Sequence, residues 1–280
     1  MQRIADYLIY INATLRSFFQ SSYFNGCFIE DKMNIILPLT IKGLVDQEEV
    51  EIFPTLLKIG SSNYLVDCGY LETAAELENS LIANGVNIKS LDGVILTHDD
   101  HDHLGGLHYL KVKKRSLKIY CGKWESASIS GIIKSERLLQ FEASLPYLSG
   151  DQTKWALNYI EKLNKIPRFP VDYEFKDFEL FEGYISVIHT PGHTNGHISL
   201  YLEKEKVLIA GDALVIQDGT FEIANPEYTL DLAAAVKSIE KIRALNPKKV
   251  YCYHGGLMKH DVLEKINRLI SKYKSQMENL

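Results

Sequence analysis

Cysteine is scarce in this 280-residue chain. Cys27, Cys68, Cys121 and Cys252 lie far apart, with no C-x-x-C pair and no disulfide-framework spacing. That usage suits buried thiols in a reducing compartment. No apolar run approaches the roughly 18 residues needed to cross a bilayer. Basic residues are not in excess either: the net charge is -5 with Lys and Arg scattered, so there is no electrostatic footprint for nucleic acid. Gly/Ser-rich and Pro-rich linkers and internal repeats are missing, which argues for a single domain over residues 1–280. No Ser-His-Asp arrangement or Gly-rich phosphate loop is present to carry chemistry. Histidine is absent from the first 97 residues, and all nine histidines fall at or after His98. Together these absences lead to the expectation of a soluble, cytoplasmic protein with its function placed from position 98 onward.

The densest stretch of ionisable groups is Thr97-His98-Asp99-Asp100-His101-Asp102-His103-Leu104-Gly105-Gly106. The apolar, β-branched Gly93-Val94-Ile95-Leu96 just before it reads as a buried strand. Six ionisable groups packed this tightly cannot all face inward unless something neutralises them, because burying unpaired charge is costly. A bound metal cluster does so, since imidazole nitrogen and carboxylate oxygen are ligands that zinc and iron accept. A solvated acidic loop is the alternative.

Around this stretch the chain alternates. Residues 1–32 are read as an N-terminal extension in which Ile4, Tyr7, Leu8, Ile11, Leu15, Phe18 and Phe19 recur at helical spacing, so an amphipathic helix is expected at 3–19. It lacks the basic start and cleavage site of a secretion signal. Three readings compete for it: a helix docked on the core, a homodimer contact, or an upstream extension with Met33 as the natural start. Strands are expected at 34–41, 49–53, 55–59 and 63–69, and a helix at 72–83 with Gly85 as its cap. A short helix at 107–111 and a strand at 117–121 follow. Residues from about 123 to 170 carry both tryptophans and a helical pattern at 153–163, and read as a helical insertion that covers the site or simply adds to the core. Strands resume at 184–189, 198–203 and 207–210. Then come a helix at 230–245 stopped by Asn246-Pro247, a strand at 249–253 and a closing helix at 258–274.

Three later stretches each place a ligand-competent side chain just past a strand. They are His189-Thr190-Pro191-Gly192-His193-Thr194-Asn195-Gly196-His197, then Ala210-Gly211-Asp212, then Tyr253-His254-Gly255-Gly256. With the Thr97–Gly106 stretch and the Asp67-Cys68-Gly69 turn, this order and spacing resembles the metallo-β-lactamase superfamily of hydrolases, whose signature is Thr-His-x-His-x-Asp-His. The resemblance runs from about residue 33 to 274. It implies an α/β fold, the four-layer αββα metallo-β-lactamase sandwich, with a dinuclear metal site at one edge. Carried over by position, the first metal is held by His98, Asp100 and His193, and the second by Asp102, His103 and His254, with Asp212 bridging. His189 and His197 flank His193 and are expected to orient it, and Asp67 is expected to play a like supporting part. Asp99 and His101 fall on variable positions, and His108 and His260 have no matching role.

The sequence departs from the signature at Asp100, which stands where the second histidine belongs. With two divalent cations, three aspartates and a hydroxide, the formal charge comes close to zero rather than plus one, so bound water is less acidic. Zinc is the first expectation for the two divalent ions, and the added oxygen donor shifts preference toward iron or manganese. The resemblance implies hydrolysis of a small-molecule ester, thioester, lactone, amide or phosphoester by a metal-bridging hydroxide, with Asp102 orienting that nucleophile or taking its proton. Two rivals remain: a di-iron oxidoreductase of the flavodiiron type served by a separate electron donor, and a non-catalytic binding or sensor member. Secreted β-lactamase activity and nuclease activity are not expected.

Overall fold

The computed structural model describes residues 35–225 and 228–278. The expected helix at 3–19, and the docking and dimer readings that depend on it, lie outside the described residues. So does Cys27. The other three cysteines are buried free thiols.

Two six-stranded sheets carry the fold. In the first, β1 (Ile35–Pro38), β4 (Thr55–Ile59) and β5 (Ser62–Val66) are antiparallel, and β5, β6 (Gly93–Leu96), β7 (Lys118–Gly122) and β8 (Tyr173–Phe175) run parallel. In the second, β9 (Glu179–Phe181), β10 (Ile185–His189), β11 (Ile198–Leu202) and β12 (Val207–Ile209) are antiparallel. Strand β15 (Lys249–Cys252) joins β12 in parallel, and β16 (Gly256–Met258) closes the edge.

Side-chain alternation along each strand builds the layers, because neighbours on a strand point to opposite faces. Val66, Ile95, Val187, Leu200 and Ile209 meet in the core between the sheets. Leu65 and Val94 turn outward, against Leu77 and Leu81 of helix α1 (Ala74–Ala83) and Leu107 and Leu110 of α3 (Leu107–Lys113). On the far side, Leu208 and Val250 pack on Val236, Ile239 and Ile242 of α7 (Leu232–Leu245) and on Ile266 and Leu269 of α8 (Val262–Glu278). The result is the αββα sandwich, and residues 34–280 form one unit. Strand β6 is buried along its whole length, as expected for a parallel strand covered on both faces.

Local chemistry shifts several boundaries from the sequence reading. The strand expected at 34–41 breaks at Pro38, which has no N–H for a ladder, and β2 (Ile41–Val45) instead forms a separate hairpin with β3 (Glu48–Ile52). Helix α7 starts at Leu232, where Asp231 Oδ1 accepts from Ala234 N at 2.8 Å, and it stops at Asn246 in the left-handed conformation. The region at 123–170 expected to be an insertion holds α4 (Ser126–Ile129), α5 (Glu136–Ser144) and α6 (Asp151–Lys165). The closing helix begins at Val262 rather than 258, because residues 256–258 pair with β15.

Candidate metal centre

Strands β5, β6, β12 and β15 all run parallel to a neighbour, and their carboxyl ends open at one edge of the sandwich. Such ends are where α/β folds place ligands, because the connecting loops converge there. Asp67 follows β5, the His98–His103 stretch follows β6, Asp212 follows β12 and His254 follows β15. His193 arrives on the turn between β10 and β11. A short helix, α2 (His101–Leu104), carries Asp102 and His103 inward. It can lie so low because Gly106 follows it: a Cβ there would sit 2.1 Å from the Cys68 carbonyl oxygen.

Seven of the expected residues come together. His193 Nε2 and His98 Nε2 lie 3.0 and 3.6 Å from Asp100 Oδ2. His254 Nε2 and His103 Nε2 lie 3.2 and 3.5 Å from Asp102 Oδ2. Asp212 stands between these groups, with Oδ1 3.4 Å from His103 Nε2 and Oδ2 3.7 Å from His193 Nε2 and 3.5 Å from His254 Nε2. Tetrahedral bonds of roughly 2.0 Å place donors about 3.3 Å apart, so these separations fit ligands gathered around cations. Among the described residues nothing satisfies the inward atoms: His98 Nε2, His103 Nε2 and Asp212 Oδ1 are buried without a hydrogen-bond partner. Buried polar atoms are normally paired, and a bound ion would supply the missing partner. His98 with Asp100 and His193, Asp102 with His103 and His254, and His98 with His103 and Asp212 each form a group that could hold a metal. His254, with a third of its side chain exposed, marks the open side.

The charge balance points the same way. Burial opposes protonation of His103 and His254, but Asp102 and Asp212 outweigh it, carrying His254 up to about 10 and His103 well above its ordinary value. Burial would raise the Asp212 carboxyl, yet His254 and His103 hold it well below the usual range. At His98 burial wins, with His103 adding to it, and its pKa falls.

The flanking residues act in definite ways. Asp67 has a left-handed φ of 60° that aims its carboxylate at Thr97 and His103. Its Oδ2 accepts from His103 Nδ1 at 2.9 Å and from Thr97 Oγ1 at 2.8 Å, and its Oδ1 accepts from Thr97 N at 2.8 Å. Since the Thr97 hydroxyl proton goes to Asp67, His98 Nδ1, 3.0 Å away, donates to that oxygen and keeps its Nε2 lone pair for the centre. Thus Asp67 and Thr97 fix two imidazoles at once. His197 supports Asp212 rather than a histidine: its Nε2 accepts from Asp212 N at 3.0 Å and its Nδ1 donates to Thr190 Oγ1 at 2.8 Å. His189 touches none of the seven. It stacks on Trp124 and hydrogen-bonds Asn195 O, so it steadies the loop beyond His193. His101 points away, with Nδ1 3.3 Å from Tyr159 Oη and its ring against Tyr70. His108 and His260 are exposed.

Arg137 was not anticipated. Buried on α5, it donates from Nε to Asp100 Oδ1 at 3.1 Å and from Nη2 to Asp100 Oδ2 at 2.7 Å. Burial alone would raise the Asp100 carboxyl, and Arg137 with His193 and His98 instead holds it well below the usual carboxylate range. The charge deficit expected from an aspartate at position 100 left this cation out. Tyr253, whose hydroxyl donates to Asp102 O, also escaped notice.

The profile of the metallo-beta-lactamase superfamily matches residues 50–254, and the chain belongs to that superfamily. It is 26% identical over 255 residues to the probable metallo-hydrolase YflN of Bacillus subtilis, covering 82% of this chain and 91% of that one. It is 25% identical over 215 residues to the beta-lactamase-like protein 2 homolog of Drosophila melanogaster, covering 74% of this chain but only 59% of that relative. Among solved structures, the metallo-beta-lactamase family protein TTHA1429 from Thermus thermophilus matches with a TM-score of 0.64 at 23% identity, over 87% of this chain and 81% of that one. The DIM-1 metallo-beta-lactamase matches with a TM-score of 0.57 at 18% identity, over 87% and 95%. These structures share the fold. Proteins of this superfamily bind divalent metals, and the relationships support a metal-dependent hydrolase in general terms.

Proposed function

We propose that the protein hydrolyses a small-molecule ester, thioester, lactone or phosphoester with two divalent cations, zinc first, bound at this centre. The observation that supports it is the set of overlapping donor groups, with Asp212 reaching toward both. His98, Asp100 and His193 would hold one ion, Asp102, His103 and His254 the other, and Asp212 both. Bound there, the ions supply Lewis acidity toward a carbonyl or phosphoryl oxygen and acidify water. Asp102 then has two tasks. Its Oδ2 faces His254, while its Oδ1, 3.8 Å from His101 Nδ1, orients the attacking water or receives its proton. Asp67 and Thr97 keep His98 and His103 in the tautomer with a free Nε2.

The insertion bears on the substrate. Tyr159 reaches His101, Trp155 stacks on Tyr159, and Phe141 sits edge-on to both. Phe141, Leu148, Trp155 and Tyr228 line a cavity of about 700 Å³. An aromatic wall beside the motif loop suits an apolar group next to the scissile bond. Among the described residues no helix is long and apolar enough to cross a membrane. A cytoplasmic small-molecule enzyme without a nucleic-acid partner completes the reading.

The test is metal content by mass spectrometry on protein purified without chelator or column metal, with a panel of lactone, thioester and phosphodiester substrates. Near two zinc or manganese ions per chain, with turnover of one class, is expected. Two irons without hydrolysis would favour a di-iron oxidoreductase. Less than one ion after refilling would overturn the enzyme reading and leave a binding module.

A further inference from the structure

The substitution at the signature's second histidine has a counterpart far along the chain. Asp100 and Arg137 are both buried, 7% and 1% exposed, and joined by two parallel hydrogen bonds. Arg137 Nη1 donates to Gln140 Oε1 at 2.8 Å, and the guanidinium carbon lies 5.3 Å from the Tyr228 ring, so the cation is held from several sides. Its neighbour Glu136 accepts from Asn195 N at 2.8 Å and bonds the Asn195 side chain as well. Two consecutive residues in the first turn of α5 therefore grip both loops that bring His98, Asp100 and His193 together.

A histidine ligand is neutral, whereas an aspartate adds one negative charge. Arg137 returns that charge to its former value. Arginine spends one lone pair on each Asp100 oxygen, and each carboxylate oxygen has a second. Oδ2 also faces His193 Nε2 and His98 Nε2, which places its second lone pair toward those donors. We propose that Arg137 is a positioning residue for the first cation position, and that the Asp100–Arg137 pair does there what a neutral imidazole does in the signature. This rests on the two-cation reading above. It also explains why the departure from the signature lies at this position and not at another: α5 supplies the compensating charge there.

The test is zinc binding to the full chain, measured as stoichiometry by mass spectrometry and as affinity by chelator competition. Wild type, Arg137→Met, Arg137→Lys, Asp100→His and Asp100→His/Arg137→Met are compared. Arg137→Met is expected to keep one zinc and to bind the other about 10- to 100-fold more weakly, the usual loss when a group that orients a ligand is removed. Arg137→Lys should fall in between, since an ammonium restores the charge without the fork. Asp100→His alone should also weaken binding, because a guanidinium then faces an imidazole with no anion between them. The double variant should recover to within several-fold of wild type. A purely structural role for Arg137 would not give that recovery. Thermal unfolding with chelator present reports whether each variant folds, and if Arg137→Met does not, the two Asp100→His proteins decide. Wild-type zinc affinity in Arg137→Met, a second zinc gained on removing Arg137, or a double variant no better than Asp100→His would each overturn the proposal. Wild type binding fewer than two zinc ions would overturn the two-cation reading with it, whereas two ions in wild type with an indifferent Arg137 would overturn this inference alone.

Discussion

The motif loop after β6 and the helical region at 123–170, expected to be an insertion, contribute to the same candidate centre by opposite means. The loop concentrates its acids and imidazoles within six positions, and the insertion answers two of those acids from far away. Asp99 and Asp100 are adjacent, yet each meets an arginine from a different end of the insertion. Asp100 receives two short bonds from Arg137, and its carboxyl is held low despite burial. Asp99 has a single 3.3 Å contact with Arg168, and burial lifts its carboxyl to about 6 against that pull. Two neighbouring carboxyls are thus shifted in opposite directions: Arg137, His193 and His98 together pull Asp100 down, whereas burial and the adjacent Asp100 lift Asp99 against Arg168. A fork on both oxygens with two imidazoles beside it outweighs desolvation, and one long contact does not.

Removing one arginine at a time is the strongest way to break this contrast. Without cations, Arg137→Met should cost about 3–5 kcal/mol, the usual loss when a buried charge keeps its burial but loses its partner. Denaturant unfolding in chelator would read it, and Arg137→Met/Asp100→Asn should recover most of the loss. Arg168→Met should cost clearly less, because a single 3.3 Å contact to a carboxyl already raised by burial stabilises its charge less than the two-bond fork does at Asp100. Equal losses at both sites would end the distinction.

Within the loop, the support from Asp67 can be removed while every proposed ligand stays. Asp67→Asn still fills the space but no longer accepts from both His103 Nδ1 and Thr97 as an anion. Zinc affinity should fall about 10- to 100-fold with little change in the fold. On the insertion side, Trp155 is half exposed on the aromatic wall. Trp155→Ala should raise KM about tenfold for a substrate with an apolar group, roughly 1.4 kcal/mol of binding. Its metal content and kcat should be unchanged, and a shift in metal content would show that the wall also shapes the centre.

The same contrast explains what the sequence revealed. His98, Asp102, His103, His193, Asp212 and His254 were legible because each lies in a stretch that follows an apolar strand, and the resemblance assigned the ligand positions within those stretches. The four-layer fold was legible through the family resemblance, and the structure supplies its physical reason: Leu65-Val66, Val94-Ile95 and Leu208-Ile209 pair an outward with an inward apolar side chain. Arg137 was not, since Glu136-Arg137-Leu138-Leu139-Gln140 looks like any amphipathic helix and its partner lies 37 residues upstream. His197 was placed in the right region with the wrong beneficiary, because only the folded turn brings Asp212 N to its ring. The hairpin of β13 (Val215–Gln217) and β14 (Thr220–Glu222) was missed although Asp218-Gly219, both at positive φ, is a recognised hairpin signal. The β2–β3 turn gave no such warning, since Asp46 and Gln47 adopt positive φ without a glycine to mark it.

An ordinary ion pair outside both regions supplies the scale for these effects. Glu222 at the end of β14 meets Lys272 and accepts from Tyr273 Oη at 2.7 Å, both on α8. Partial burial would raise its carboxyl, but Lys272 and Tyr273 lower it below the ordinary value. A depressed carboxyl stabilises the fold above the unfolded-state value near 4.3, and that contribution fades as pH falls through the lower folded value. Solvent screens the pair, so Glu222→Gln should cost about 0.2–1 kcal/mol at pH 7 and progressively less below pH 4. Unfolding curves at both pH values measure it. If this pair contributes as much as Arg137–Asp100, then burial and the two-bond fork are not what make the pair at the centre strong, and the contrast between loop and insertion loses its physical basis.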